Sequence, residues 1–115
     1  MATESASSAS PMASPFSVEV DGGTAAVLRL SGEMDFSNAG ILADAIGGIE
    51  LDGDGSVVLD LTGLQFCDAA GVSAMLKAHR WVTAAGGRLS VRGVSGEPRR
   101  VLLLAGLDRV LDIES

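Results

Sequence analysis

The sequence predicts an α/β fold: a single mixed, mainly parallel sheet of four to five strands, opened by an N-terminal hairpin and covered by helices mainly on one side. Three observations carry that expectation. An apolar, β-branched run from Val57 to Leu61 gives way, after Asp68, to apolar residues at three- and four-residue spacing. The first pattern is that of a buried strand, the second that of a helix with one buried face. Strand-like and helix-like segments then alternate along the chain, which implies parallel strands joined by right-handed crossovers. Finally, two strand-like segments flank Asp21-Gly22-Gly23, turn-forming residues that make the opening pair an antiparallel hairpin.

Met1 to Pro15 is rich in Ser and Ala; with little apolar surface to bury, it reads as a disordered tail (residues 1–15) ahead of one domain (16–115). Phe16 to Val20 and Ala25 to Leu30 are the hairpin strands. Ser31 to Asp35 reads as a polar loop. Ser37 or Asn38 is placed to cap a helix running to Ile46, with Ile41, Leu42, Ala45 and Ile46 on one face and Gly47-Gly48 at its end. Glu50 to Gly55 is an acidic, Gly-rich turn that imitates the start of a calcium loop. Its twelfth position, however, is Leu61, where a bidentate Glu is required, so calcium is not expected. The central strand runs from Ser56 to Leu61 and breaks at Thr62-Gly63; Leu64 to Cys67 is a short apolar stretch. Asp68, a preferred N-cap, opens a central helix from Ala70 to Ala85, with Val72, Met75, Leu76, His79 and Val82 on its apolar side. Gly86-Gly87 supplies a left-handed stop. Arg88 to Arg92 is a fourth strand. Pro98 suits the first turn of a last helix, Gly106 ends it, and Val110 to Ile113 is a short edge strand.

At 115 residues the chain is one domain, large enough for a modest core. Hydrophobic residues make up 47% but aromatics only 3%, so Val, Leu, Ile, Ala and Met must fill it. The net charge of −7 is uneven: Met1 to Asp68 holds eleven acidic residues and one basic (Arg29), Ala69 to Ser115 four acidic and seven basic. An acidic chain without a basic run is a poor ligand for nucleic acid or for an anionic membrane. The single Cys67 excludes an internal disulfide and fits a reducing, cytoplasmic setting. No apolar run approaches the length of a membrane span, and the N-terminus lacks the pattern of a secretory signal. There is no phosphate-binding loop and no metal-ligand set, so no cofactor and no metal are expected.

The strand, the loop and the helix start converge on the segment before Ala69, where free helix N–H groups and a positive dipole end would lie. Asp68 is a structural cap there, and also a candidate contact for a partner. Glu33 and Asp35 follow the second strand and should lie at the same sheet end. As paired carboxylates they invite an acid/base reading, but neither a nearby His nor a metal set supports it. Cys67 precedes a helix N-terminus, which would favour a thiolate, yet it also suits a small buried hydrophobe. His79, the sole histidine, falls on the apolar stripe as a core-edge residue. Trp81 lies roughly opposite Val72, among Ala70, Ala74, Lys77, Ala78 and Ala85. It is either an exposed contact anchor or packed against the tail or a neighbouring helix.

These segments resemble the STAS domain, and within it the bacterial anti-sigma factor antagonists. Their signature is a strand ending in Asp-Leu-Ser/Thr, then Leu-x-Phe, an apolar residue, Asp, Ser, Ser/Thr and Gly. It is matched by Asp60-Leu61-Thr62, Leu64, Phe66, Cys67, Asp68 and Gly71. Leu30-Ser31-Gly32-Glu33-Met34-Asp35 is similar to the family's apolar strand and Gly-Glu-x-Asp. Pro98 to Leu102 with Ala105-Gly106-Leu107 is similar to its last helix and Gly stop. The resemblance spans Phe16 to Ile113. It implies a non-enzymatic protein that binds an anti-sigma factor, usually a serine kinase with a GHKL-type ATP-binding fold, and so releases a sigma factor. It also implies a partner surface of Glu33, Asp35, Ser37, Asp68, Ala69, Ala70, Gly71 and Val72. The family's phosphoacceptor Ser directly follows the Asp; here that position is Ala69, followed by Ala70, and neither accepts phosphate. Two other readings stand beside this one: a STAS subunit docked on a larger assembly such as a transporter ATPase or signalling scaffold, and a small enzyme using Cys67 or the Glu33/Asp35 pair. A homodimer is compatible with all of them.

Overall fold

The computed structural model describes residues 16–21, 25–49 and 55–114. The expected tail, the Gly22-Gly23 turn and most of the acidic turn at Glu50 to Gly55 lie outside these residues. Strands β1 (Ser17–Asp21), β2 (Ala25–Met34), β3 (Ser56–Cys67), β4 (Arg88–Arg92) and β5 (Asp112–Ile113) form one sheet in sequence order. The first pair is antiparallel, the hairpin that the sequence predicts, and every later pair is parallel. Helices α1 (Gly40–Gly47), α2 (Ala69–Ala84) and α3 (Gly96–Leu104) make the three crossovers. Each crossover steps in the same direction along the sheet, so right-handedness puts all three helices over one face.

The alternation of burial agrees. Leu28, Leu59 and Val91 align across three strands and are fully buried; in the neighbouring row Val57 is fully buried and Leu89 nearly so. With Leu30, Leu42, Met75, Val82 and Leu102 they form one aliphatic core. The other face is half open. Across it the register lines up Glu19, Arg29, Asp60 and Arg92, alternating in charge. Arg29 pairs with Asp21, and Arg92 reaches Asp60 at 3.4 Å.

Two strands outrun their expected ends. Ser31 to Met34 belongs to β2 rather than to a loop, and β3 passes through Thr62-Gly63 as far as Cys67. Pairing continues as Ser31↔Gly63, Gly32↔Leu64, Glu33↔Phe66 and Met34↔Cys67, with register shifts between Arg29 and Ser31 and between Gly32 and Glu33. These irregularities place inward residues at Leu61, Leu64 and Cys67, three apart where a regular strand repeats every two. Gly63 permits the close pairing, because a Cβ there would lie 2.7 Å from Ser31 Oγ.

The helices bring smaller corrections. Neither Ser37 nor Asn38 caps α1; its N-cap is Ala39, with no side-chain bond. Leu42 and Ile46 are buried, but Ile41 is exposed. In α2 the buried side is Gly71, Val72, Met75, Ala78 and Val82, which leaves Leu76 and His79 at its edge. Gly86 and Gly106 adopt left-handed φ values of 87° and 78° after α2 and α3. A 3-10 turn, Leu107–Arg109, precedes β5, which is shorter than expected.

Candidate partner-binding site

The extended ends of β2 and β3 carry Asp35 and Asp68 to one end of the sheet. Met34 pairs with Cys67, and Asp68 N donates to Met34 O at 3.2 Å. Beyond Met34 the chain folds into a turn built by Asp35 and Asn38. Asp35 Oδ1 accepts from Ser37 N at 2.9 Å and from Ser37 Oγ at 2.6 Å. Its carbonyl accepts from Asn38 N and Ala39 N. Asn38 Oδ1 accepts from Asp35 N, and Asn38 Nδ2 donates to Glu33 O, both at 2.9 Å. The Ser37 hydroxyl, then the Ser37 N–H, holds the Asp35 carboxyl below its ordinary range, so it stays ionised. The turn therefore presents a fixed anion.

Across from it, Asp68 caps α2 as the sequence predicts. Its Oδ1 accepts from Ala70 N at 2.9 Å and Gly71 N at 3.1 Å, while its carbonyl takes Val72 N. Ala69 is exposed and Ala70 half-buried at the helix start. Gly71 and Val72 are buried in the isolated chain, beneath Ala69 and Ala70. A Cβ on Gly71 would stand 2.6 Å from Cys67 Sγ, which shows how closely α2 is seated on the strands.

Cys67 lies beneath that helix start, 1% exposed, its thiol donating to Asp68 O at 3.5 Å. Burial first, and the Asp68 charge second, push its thiol up to about 11, so it is a neutral core group rather than a nucleophile. Glu33 is exposed opposite Phe66 on the strand face away from the buried Met34, while Asp35 is committed to its turn. The two carboxylates do not form a catalytic pair. His79 lies near Thr83, Nε2 to Oγ1 at 3.4 Å. Among the described residues no group of His, Cys, Asp and Glu is arranged to hold a metal, and no helix is long and apolar enough to cross a membrane.

The alanine stripe of α2 is not left open. Ala78 is buried, and Ala70 and Ala74 are half-buried. They form one wall of a groove of about 370 Å³ against α1, with Trp81 on its rim and 44% exposed. Sequence reasoning passed over Phe36, which is 84% exposed in the Asp35 turn, and the exposure of Phe66 at 41%. The available signal for Phe36 was an aromatic between Asp35 and Ser37, outside any apolar periodicity.

Known proteins share the sequence pattern and the fold of this chain. The family model described as the Mlab STAS domain matches residues 18–112. An anti-sigma F factor antagonist of Paenibacillus polymyxa is 29% identical over 91 residues, covering 76% of this chain and 75% of that one. The crystal structure of an anti-sigma factor antagonist from Mycobacterium paratuberculosis superposes with a TM-score of 0.75 at 26% identity, covering 86% of this chain and 85% of the other. The anti-sigma factor antagonist SpoIIAA in its unphosphorylated form, 23% identical, shares the fold with a TM-score of 0.58 over 84% of this chain and 97% of its own. The chain belongs to the STAS domain family. Within that family it is anti-sigma factor antagonist-like, a non-enzymatic class of domain.

Proposed function

We propose that this protein is a cytoplasmic antagonist that binds an anti-sigma factor, a serine kinase of GHKL type, and so frees a sigma factor, with no phosphorylation switch at the start of α2. The observation that carries the reading is the joining of the Asp35 turn to the Asp68 cap through the Asp68 N to Met34 O bond. One end of the domain thereby combines a fixed anion, a capped helix start and an exposed residue at position 69. The contact surface is Glu33, Asp35, Ser37, Asp68, Ala69 and Ala70, with Gly71 and Val72 holding α2 in place beneath it. Adding a phosphate dianion beside Asp68 would repel and crowd a bound partner; Ala69 removes that option. Thr62 is already engaged, its hydroxyl donating to Asp60 at 2.6 Å, and Ser73 lies inside α2. Neither stands where the family's acceptor does.

Calorimetric titration of the cognate anti-sigma factor tests this placement. Asp35→Ala should weaken binding at least tenfold, about 1.4 kcal/mol, with circular dichroism unchanged. Unaltered affinity would remove the Asp35 turn from the interface. Ala69 also favours a second reading, a STAS subunit docked permanently on a larger assembly such as a transporter ATPase, since permanent docking needs no switch. Co-purification of a transporter ATPase rather than a kinase would put that reading first.

A further inference from the structure

The groove between α1 and α2 runs from Ala70 to Trp81 and is walled by methyl groups and bare backbone, among them Ala39, Gly40, Ala43 and Ala74. Lys77 lines it, and Arg80 stands exposed one turn further along α2, beside Trp81. Neither cation has an ion-pair partner among the described residues. The hollow is thus apolar, with cations along its α2 border and the exposed Asp44 on α1 beside Ala43.

On the same helical layer, the turn that leads into Ala39 and Gly40 carries Phe36. At 84% exposure its ring lies outside the groove of its own chain. It adjoins the carboxylate of Asp35, with Asp68 at the same end of the sheet. This is a knob with an acidic border. A ring of that size buries about 150–250 Å² when enclosed, and the hollow of about 370 Å³ has room for it. The knob is small enough for the hollow, its Asp35 carboxylate is opposite in charge to the α2 border of the groove, and both belong to this chain. A two-fold axis would let two copies exchange them reciprocally, which closes the contact instead of propagating it.

We propose that the protein self-associates as a two-fold dimer in which Phe36 of each copy fills the alanine-lined groove of the other, with Asp35 set against Lys77 and Arg80. Self-association of this kind requires no anti-sigma factor.

Sedimentation equilibrium of the purified chain over a wide concentration range tests it. The mass should climb from the 11.6 kDa of one chain toward twice that value. Phe36→Ser, Gly40→Trp and the double variant Lys77→Glu/Arg80→Glu should each weaken dimerisation at least tenfold. All three leave the core alone: Phe36, Lys77 and Arg80 are exposed, and a Cβ at Gly40 meets nothing within 4 Å. Circular dichroism of each variant checks that it is folded. A single-chain mass at every concentration overturns the proposal, as does a dimer that any of the three folded variants leaves equally tight.

Discussion

A Cβ at Gly71 would stand 2.6 Å from the Cys67 sulfur and 3.2 Å from both Met34 Cγ and Sδ. That crowding sets the height of α2 above the strands, and so the position of Ala69 relative to Asp35. Gly71→Ala should therefore destabilise the domain by about 1–3 kcal/mol, the usual cost of overpacking a filled core. Cys67→Ala removes the closest clashing atom, so the double variant should be more stable than the sum of the two single losses. Urea denaturation of the three variants measures this coupling, and strictly additive losses would contradict the packing described. The Gly in the motif is legible from sequence, but its reason is not. It follows from a contact with residues of two different strands, which spacing along one chain does not reveal. Asp68 is the opposite case: its role as a cap depends only on the residues that follow it.

At the scale of the element, the long strands place the site. With the ends expected from sequence, β2 would stop at Leu30 and β3 at Leu61, leaving the polar Ser31 to Asp35 and the apolar Leu64 to Cys67 outside the sheet. Instead they pair as far as Met34 and Cys67. Amides of Leu64 to Cys67 that face β2 should exchange with solvent as slowly as those of Val57 to Leu61. Hydrogen exchange at the rate of an open loop, orders of magnitude faster than in the preceding strand, would contradict the extension. The strand ends were hidden because the register shifts turn a two-residue repeat into a three-residue one at Leu61, Leu64 and Cys67. Ser31, Gly32, Thr62 and Gly63 also look like turn residues when read locally. Strand β4 was legible to the residue, Arg88–Arg92, because it alternates regularly and lies between clear glycine stops.

For the whole molecule, strand order equals chain order. No reversal occurs in the parallel part, so the sheet lacks the crevice in which open α/β folds bind cofactors. The sheet end that carries Asp35 and Asp68 and the open helical face suit a domain that binds other proteins. The alternation of strand and helix made the sheet and its single covered face readable from sequence. Phe36 and the α1–α2 groove were not readable, because they depend on how two separate segments meet. The claim at the centre of the account is that the domain binds its anti-sigma factor without a switch at position 69. Calorimetric titration of the cognate kinase with this chain and with Ala69→Ser, each before and after incubation with ATP, tests it most directly. The account predicts that ATP leaves the affinity of the unaltered chain unchanged and abolishes tight binding of Ala69→Ser, with phosphate found at position 69 of that variant alone. Loss of affinity by the unaltered chain, with stoichiometric phosphate on Thr62 or Ser73 in its mass spectrum, would contradict it.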